Sequence, residues 1–350
     1  MKPVIPALNK QPQKILVIRL SSIGDILLAS PLLRLLKKRF PGAELSFLVK
    51  KKFLEAISTN KHVDRVISLD TTAGLPELMR IRSFIKRQNF DLILDIHNNF
   101  RSLFLRTGIG ADVFSYPKFR WQRFLLIRFK WNLYDEIIPV YRRYLYSVRE
   151  LGIEDDGLGL EFWVDDAASA RIENVLASAR FSKERFILCL APGAGFETKR
   201  WLPEYFVDVA NRFVREREAQ VLLLGDERDR KITRTITAQL NGHFLDLSGE
   251  ISLMESAAAL TFADLFITND TGLMHLAVAL SVKTIAVFGP TTSELGFFPT
   301  APHALVVENS GLSCRPCTHI GSRKCPKKHF RCMREVVPEQ VYEAASRLLA

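Results

Sequence analysis

The sequence contains no apolar run that approaches the roughly 20 residues a membrane-spanning helix needs. The stretch from Met1 to Gln13 has lysine but no apolar core of a signal peptide. Low-complexity tracts and short-period repeats are also absent, and no Asp-x-Asp is placed to carry a metal. These absences argue against an integral membrane protein, and we expect a cytoplasmic protein whose thiols stay reduced.

The 350 residues that are present suffice for two domains with full cores. An apolar fraction of 47% and a charged fraction of 25% are ordinary for a globular protein and argue against global disorder. The formal net charge of +11 is high. It indicates an anionic partner, and nucleic acid, an acidic membrane face and phosphorylated small molecules all fit.

Short apolar runs alternate with amphipathic segments in two series, which predicts βα repeats and parallel sheets. The predicted strands are Ile15–Leu20, Leu45–Val49, Val66–Leu69 and Leu92–Asp95, then Phe186–Leu190, Val221–Leu224, Phe244–Leu247, Leu265–Thr268 and Thr284–Phe288. The predicted helices are Ile26–Phe40, Leu75–Gln88, Ala167–Ala179, Pro203–Arg217, Leu253–Thr261, Gly272–Leu280 and Pro338–Leu349.

The segment Leu151–Asp166 separates the two series and is the best linker candidate. We therefore predict an α/β protein of two doubly wound parallel-sheet domains, residues 1–165 and 166–350, that face a cleft. The last predicted helix, Pro338–Leu349, could pack back on the first domain. Ligands of such sheets bind at the carboxyl ends of the strands.

The most informative stretch is Phe266–Leu276, where an apolar run ends in Asn-Asp-Thr-Gly and passes into a helical pattern. A helix N-terminus offers unpaired N–H donors and partial positive charge, which suits phosphate. Asp270 and Thr271 are natural N-cap residues, and Gly272 lets a ligand approach the backbone closely. The alternative is an ordinary capped helix.

A second strand runs into Ser21-Ser22-Ile23-Gly24-Asp25 at the start of an amphipathic segment. A carboxylate at the carboxyl edge of a sheet can serve as a general base, so Asp25 is a candidate. Its alternative role is to complement the helix dipole, and the helix N-terminus also lowers the pKa of a carboxyl group.

Three further turns follow predicted strands. The loop Pro192–Pro203 is rich in glycine at its start and contains Lys199, so its N–H groups and ammonium could hold phosphate. Glu227 lies in Gly-Asp-Glu after a strand, where carboxylates often bind ribose hydroxyls; a solvated turn is the alternative. The third turn is Phe-Gly-Pro-Thr at 288–291.

Taken together, these motifs resemble those of glycosyltransferase family 9, whose best-known members are the ADP-heptose:lipopolysaccharide heptosyltransferases. The motifs are Ser-Ser-x-Gly-Asp at 21–25, Pro-Gly-Ala with Lys-Arg-Trp at 192–203, Asp-Thr-Gly-Leu-x-His-Leu at 270–276 and Phe-Gly-Pro-Thr at 288–291. The resemblance runs from residue 14 to about residue 347. It implies the GT-B fold and inverting transfer of heptose to the inner core of lipopolysaccharide, on a Kdo-lipid A type acceptor.

The resemblance also implies roles for individual residues. Asp25 matches the proposed catalytic base, and Lys199 matches the lysine that contacts the donor phosphates. Asp270, Thr271 and Gly272 match the loop that holds sugar and diphosphate, and Glu227 falls near the ribose-contacting acid. Catalysis would need no metal, because a helix dipole and a lysine would take its place. The expected acceptor-binding residues are Ser22, Gly24, Arg101, Arg120 and Arg123.

The stretch from Arg101 to Arg143 interleaves nine basic residues with aromatic ones. This mixture suits an anionic membrane surface or a phosphorylated glycolipid, and it also suits RNA. We expect an acceptor-binding and membrane-docking face at the inner side of the inner membrane, without nucleic acid as a partner. The alternative is a solvated basic face on packed helices.

Four cysteines lie close together near the C-terminus, namely Cys314, Cys317, Cys325 and Cys332. They fit a structural zinc site, and unliganded reduced thiols fit equally well.

Two other functions remain open. A GT-B enzyme could use another nucleotide sugar in cell-surface glycan synthesis, since the same phosphate chemistry applies. A non-catalytic nucleic-acid or membrane-binding protein would explain the positive charge, but it would leave Asp25 and the strand-end motifs unexplained.

Overall fold

The computed structural model describes residues 11–350 of the chain. The prediction that the stretch from Met1 to Gln13 is not a signal peptide therefore falls mostly outside the described residues. The chain forms two compact units. The first contains the described residues up to Lys118 together with Val140–Trp163. The second contains Phe119–Pro139 together with Val164–Ala350. The sequence pattern did not indicate that 119–139 would leave the first unit, and the division at residues 165 and 166 stays a prediction.

Each unit has a parallel sheet. The first sheet has the order β3-β2-β1-β4-β5 and consists of β1 (Lys14–Ile18), β2 (Glu44–Lys50), β3 (Arg65–Leu69), β4 (Leu92–Asp95) and β5 (Asp112–Ser115). The second has the order β11-β10-β9-β6-β7-β8 and consists of β6 (Ile187–Ala191), β7 (Gln220–Leu223), β8 (Phe244–Asp246), β9 (Leu265–Asn269), β10 (Thr284–Phe288) and β11 (Ala304–Glu308). The predicted class of two parallel-sheet α/β domains is confirmed.

Helices connect the strands. The helices of the first unit are α1 (Ile23–Leu27), α2 (Ser30–Arg39), α3 (Gly74–Gln88), α4 (Phe100–Arg106) and α6 (Val140–Tyr146). Those of the second unit are α5 (Arg120–Phe129), α7 (Asp166–Ser178), α8 (Pro203–Arg217), α9 (Arg230–Thr237), α10 (Leu253–Leu260), α11 (Gly272–Ala279), α12 (Arg331–Arg334) and α13 (Pro338–Leu349).

Both sheets have a topological switch point. In the first, the chain winds outward from β1 through β2 to β3, then returns to β4 on the other side of β1. In the second, it winds from β6 through β7 to β8 and returns to β9 beside β6. The loops that follow the two strands at a switch point diverge to opposite faces of the sheet and leave a crevice at the carboxyl edge. The strand order therefore predicts a binding site at the carboxyl ends of β1 and β4 and at those of β6 and β9.

The central strands are buried on both faces, as helix-covered parallel strands require. All five residues of β6, β9 and β10 are buried. The core of the second unit is built around Trp201, whose indole N–H donates to the Val336 carbonyl at 2.7 Å. These strands form the rigid base for the loops at their ends.

The predicted helix Ile26–Phe40 is in fact two helices, and Pro31 is the reason. Proline has no N–H to donate to the carbonyl four residues earlier, so it favours the start of a helix. It stands in the first turn of α2, and the Leu27 carbonyl accepts instead from the Ser30 hydroxyl at 2.8 Å. The break leaves α1 as a short helix that carries Asp25.

The last helix, α13, lies in the second unit. Val341, Ala344 and Ala345 join the core of that unit, and the Tyr342 hydroxyl donates to Glu216 Oε2 at 2.6 Å. Its apolar face covers α8, β10 and β11, and the expectation that this helix packs back on the first domain stays a prediction.

Candidate active site

In the first unit, Asp25 lies in the turn between β1 and α1. Ser22 is the N-cap of α1 and Asp25 is its third residue, so the two form a capping box. Asp25 Oδ2 accepts from the Ser22 hydroxyl at 2.7 Å and from the Ser22 N–H at 3.2 Å. Gly24 is buried between them and Ser22 is exposed. Local sequence thus fixes one oxygen of the carboxylate.

The other oxygen is held from outside the turn. Arg19 Nη2 lies 2.6 Å from Asp25 Oδ1, and Arg19 Nη1 donates to the Ile96 carbonyl at 2.6 Å. The Tyr144 hydroxyl donates to the same Asp25 oxygen at 3.4 Å. Arg19 is 7% exposed, so this ion pair is largely shielded from solvent. It lies at the β1/β4 switch point, since Arg19 follows β1 and Ile96 follows β4.

Two opposing effects decide the charge of Asp25. Burial disfavours the ionised carboxylate, but the Arg19 charge and the Ser22 hydrogen bonds outweigh it, so the pKa of Asp25 is lowered. Burial and the nearby Arg19 and Lys118 charges lower the pKa of His97 to about 3. The site therefore presents an ionised carboxylate and a neutral imidazole at physiological pH.

The same edge of the sheet carries further cations. Burial, together with Arg101 and Lys52, lowers the pKa of Lys50, the last residue of β2. Arg101 is exposed on α4 and lines a pocket of about 240 Å³ with Leu69, Thr71, Gly74, Leu75 and Leu78. A cationic group over an apolar wall can bind an anionic sugar derivative.

In the second unit, Lys199 and Asp270 meet at the β6/β9 switch point. Lys199 Nζ lies 2.6 Å from Asp270 Oδ2, and the Thr291 hydroxyl donates to the same oxygen at 2.8 Å. Side-chain exposures of 14% and 6% make this a nearly buried pair. A lysine ammonium has three N–H donors, so pairing with Asp270 orients it and leaves it able to bind an anion.

A buried amide holds the Lys199 loop in place. Asn269, the last residue of β9, accepts from the Trp201 N–H at 3.0 Å and donates to the Pro192 carbonyl at 2.8 Å. It also lies within 3.3 Å of the Gly193 carbonyl as a donor. Both ends of the Pro192–Pro203 loop are thereby tied to the strand that leads into Asp270.

The helix α11 begins directly after this pair. Thr271 is its N-cap and accepts from the Met274 N–H at 3.4 Å, and Gly272 is its first residue. The ammonium of Lys199 and the positive end of a helix thus lie together. Such a pair stabilises negative charge of the kind carried by a diphosphate.

Glu227, the predicted ribose-binding acid, is largely exposed and already forms an ion pair. Its side chain is 72% exposed and pairs with Arg230 at 2.9 Å. The partly buried acid of the same turn is Asp229, whose pKa is raised by burial and by the Asp226 charge. Asp229 Oδ1 also lies 3.5 Å from Arg200 Nη2. The ribose role of Glu227 stays a prediction.

The segment Phe119–Pro139, here called the basic-aromatic arm, belongs to the second unit and carries Arg120 and Arg123. Its anchor is Lys130, whose ammonium donates to the Pro316 carbonyl at 2.6 Å. Burial and the charges of Arg123 and Lys199 lower the pKa of His319. The predicted acceptor residues are therefore divided between units, with Ser22, Gly24 and Arg101 in the first.

Four aromatic rings of the arm lie in sequence on its surface. Trp121 is 74% exposed and Trp131 is 60% exposed. Ring centroids are 5.9 Å apart between Trp121 and Phe124, 6.0 Å between Phe124 and Phe129, and 5.4 Å between Phe129 and Trp131. An exposed aromatic cluster beside exposed Arg128 and Lys130 is typical of an interaction surface.

The four C-terminal cysteines are free thiols. Burial raises the pKa of Cys317 to about 11 and that of Cys332 to about 12. Among residues 11–350, no three His, Cys, Asp or Glu side chains are grouped so that they could hold a metal ion. Zinc binding by these cysteines stays a prediction, which metal analysis of protein purified without chelator would test.

Sequence reasoning missed several residues that build these sites. They are Arg19, Tyr144, Asn269 and Thr291. Arg19 and Asn269 had a usable signal, because each is a polar residue directly at the end of an apolar strand and next to a candidate. Thr291 ends the Phe-Gly-Pro-Thr motif. Tyr144 had none, since it lies 119 residues from Asp25.

Two parallel-sheet α/β units, each with a charged site at its switch point, are typical of a GT-B glycosyltransferase. The chain belongs to glycosyltransferase family 9, the heptosyltransferase family, whose model matches residues 78–328. It is 27% identical over 337 residues to lipooligosaccharide heptosyltransferase 2 of Campylobacter jejuni, covering 93% of this chain and 95% of that protein.

Two solved structures are similar in fold. A family 9 glycosyl transferase from Veillonella parvula has a TM-score of 0.81 at 22% identity, covering 96% of this chain and 97% of the other. The ADP-heptose lipopolysaccharide heptosyltransferase II of Escherichia coli has a TM-score of 0.75 at 22% identity, covering 96% and 98%. Both confirm the fold. In the described part of the chain, no helix has the length and apolar character needed to span a bilayer.

The Pro192–Pro203 loop provides a matched pair of glycines. A Cβ at Gly193 would lie 2.2 Å from Asp229 Cγ, whereas nothing lies within 4 Å of a Cβ at Gly195. We expect Gly193→Ala to cost about 1–3 kcal/mol, because the loop or Asp229 must move. Gly195→Ala should change stability by less than about 0.5 kcal/mol.

Thermal unfolding of the full chain measures both variants. Gly193→Ala should lower Tm by several degrees, and adding Asp229→Ala should recover most of the loss. Equal Tm values for the two glycine variants would contradict the close approach of Asp229.

Proposed function

We propose that this enzyme transfers heptose from ADP-heptose to the inner core of lipopolysaccharide, with inversion and with Asp25 as the base. The observation that carries the proposal is the meeting of Lys199, Asp270 and the N-terminus of α11 at a switch point of a family 9 chain. This arrangement fits a nucleoside diphosphate leaving group. The relatives named heptosyltransferases support heptose as the sugar.

Each unit supplies one half of the proposed reaction. An acceptor hydroxyl gives its proton to Asp25 as its oxygen attacks the anomeric carbon of the donor. The bond from that carbon to the diphosphate oxygen breaks, and the electron pair leaves with the diphosphate. Lys199 and the positive end of α11 stabilise the charge that develops there. Asp270 and Thr291 hold the ammonium in place.

The cationic surfaces of the two units support the proposed acceptor and the proposed location at the membrane. Arg101 and Lys50 would bind acidic groups of a Kdo-lipid A type acceptor. The basic-aromatic arm would contact the anionic lipids of the inner face of the inner membrane, because Trp and Phe favour the bilayer interface and arginine pairs with lipid phosphate. Membrane binding would then be peripheral.

Asp25→Asn tests the base. It keeps a hydrogen-bond acceptor but is not a base, so we expect kcat to fall by about 10²–10⁴-fold while ADP binding changes less than about twofold. The matched control is Asp165→Asn, which alters another capping carboxylate, one that accepts from the Ala168 N–H at 2.6 Å. Unchanged turnover in Asp25→Asn, measured with ADP-heptose and a Kdo-lipid A acceptor, would refute this role.

Lys199→Met tests the donor site. Loss of a charge-assisted hydrogen bond of roughly 1.5–3 kcal/mol should weaken ADP binding by about 10–150-fold in calorimetry. Lys183→Met, which removes an exposed lysine paired with Glu173, is the control. To exclude an effect of leaving Asp270 unpaired, Lys199→Met should be repeated with Asp270→Asn.

Equal ADP affinity in wild type and Lys199→Met would contradict the phosphate role. The wild-type protein also distinguishes the donors, because a nucleotide sugar that binds the native state raises Tm. A larger shift with another nucleotide sugar than with ADP-heptose would favour that sugar as the donor.

Charge reversal tests membrane contact. Arg120→Glu with Arg123→Glu should lower cosedimentation with vesicles containing anionic lipid by several-fold, since each basic residue near such a surface contributes about 1 kcal/mol. The control, Lys231→Glu with Arg234→Glu, changes the net charge equally on exposed residues of α9. Equal loss in both variants would show a general charge effect, and no loss in either would refute docking by the arm.

A further inference from the structure

We propose that Arg19 is a positioning residue for the transfer reaction, acting through Asp25 by holding this carboxylate oriented and ionised for the acceptor hydroxyl. The inference rests on the proposed function, in which Asp25 is the base. Nothing in the sequence motif required Arg19, which precedes Ser-Ser-x-Gly-Asp and reads as the end of a strand.

The contacts of Asp25 explain why an additional residue is needed. Its Oδ2 is held by Ser22, which belongs to the same turn. Its Oδ1 is held by Arg19 at 2.6 Å and, more weakly, by the Tyr144 hydroxyl at 3.4 Å. The longest of these contacts is that of Tyr144, so an incoming hydroxyl can replace it with the least loss. Arg19 would stay bound and fix the direction from which Oδ1 receives the proton.

Arg19 has two neighbours besides Asp25. Its guanidinium bonds the Ile96 carbonyl after β4 at 2.6 Å and lies 5.7 Å from the centroid of the Tyr144 ring. Tyr144 in turn packs edge-on against Tyr116 at 4.9 Å. A guanidinium with two fixed neighbours keeps its geometry while its partner carboxylate is exchanged between charge states. This is the property a positioning residue requires.

Other charged or titratable groups face this site. They are His97 after β4, Tyr116 and Lys118 after β5, Tyr144 on α6 and Lys50 at the end of β2. The 3-10 helix Lys51–Ala56, which packs against α1, carries Lys51, Lys52 and Glu55. The pKa of His97 is lowered to about 3, and burial raises the pKa of Tyr144. Neither changes charge between pH 5 and 9 in the wild-type site, and Asp25 is the carboxylate that Arg19 contacts directly at 2.6 Å.

The proton balance shows what Arg19 contributes. The acceptor proton passes to Asp25 while the diphosphate leaves, and Asp25 later releases that proton to solvent. A carboxylate beside Arg19 is a weak base, yet it is ionised throughout the physiological range and regains that state quickly after each turnover. Without Arg19, burial would dominate and favour the protonated form, which cannot accept a proton.

The test compares wild type, Arg19→Gln and Arg19→Lys over pH 5–9, where the lowered pKa of Asp25 leaves the wild type without an acid limb in kcat/KM. Arg19→Gln removes the charge and leaves burial dominant, so this variant should show an acid limb within that range. Arg19→Lys retains the charge and should show none, like the wild type. Tyr144→Phe is a further control, because it removes the weaker contact and leaves the ion pair intact.

Two more measurements separate the outcomes. Arg19→Gln with His97→Gln should keep this acid limb, which assigns it to Asp25. If Arg19→Gln does not fold, Arg19→Lys still decides. The lysine side chain is shorter and lacks the guanidinium fork, so it holds Asp25 less well and should lower kcat more than it raises KM. Wild-type profiles for both variants would overturn the Arg19 proposal while Asp25→Asn stays inactive. Full activity of Asp25→Asn would instead overturn the proposed function.

Discussion

The charged site of the second unit depends on one buried side chain, Asn269. Its amide accepts from the Trp201 N–H and donates to the Pro192 carbonyl, so the loop that carries Lys199 is fastened at both ends to the end of β9. An unpaired amide in this apolar surrounding would be costly, and this cost selects the one loop conformation that satisfies it. The ion pair between Lys199 and Asp270 follows from that conformation, because both residues then leave neighbouring strands at the same edge.

The two units solve a similar electrostatic problem with opposite signs. In the first, a carboxylate is held by a buried guanidinium; in the second, an ammonium is held by a buried carboxylate. Each pair lies at the switch point of its sheet, where the strand order reverses, at β1/β4 and at β6/β9. A partly buried charge is stable only with a partner, so the partner also sets its direction. The geometry of each pair thus follows from the side chains of the protein itself.

Local patterns were sufficient for most of the fold. Leu92–Asp95, Pro203–Arg217 and Pro338–Leu349 have the predicted bounds, because strand and helix periods and a proline at a helix start are local properties. The edge strands Asp112–Ser115 and Ala304–Glu308 were missed, since they are short and only partly buried. Of the candidate site, the sequence singled out Asp25, Lys199 and Asp270 from their positions after strands. It did not single out Arg19, although this residue precedes Asp25 in the same segment. It could not indicate Tyr144, because a contact across 119 residues leaves no local pattern.

The path of the chain has a consequence for its biosynthesis. Because Phe119–Pro139 belongs to the second unit while Val140–Trp163 belongs to the first, the polypeptide passes between units three times, and neither unit is a continuous segment. The arm's anchor on the Pro316 carbonyl does not exist until nearly the whole chain has left the ribosome. During most of its synthesis, the nascent chain therefore contains the basic-aromatic arm without the Pro316 contact that anchors it. We expect a chaperone that acts on this protein to bind the arm.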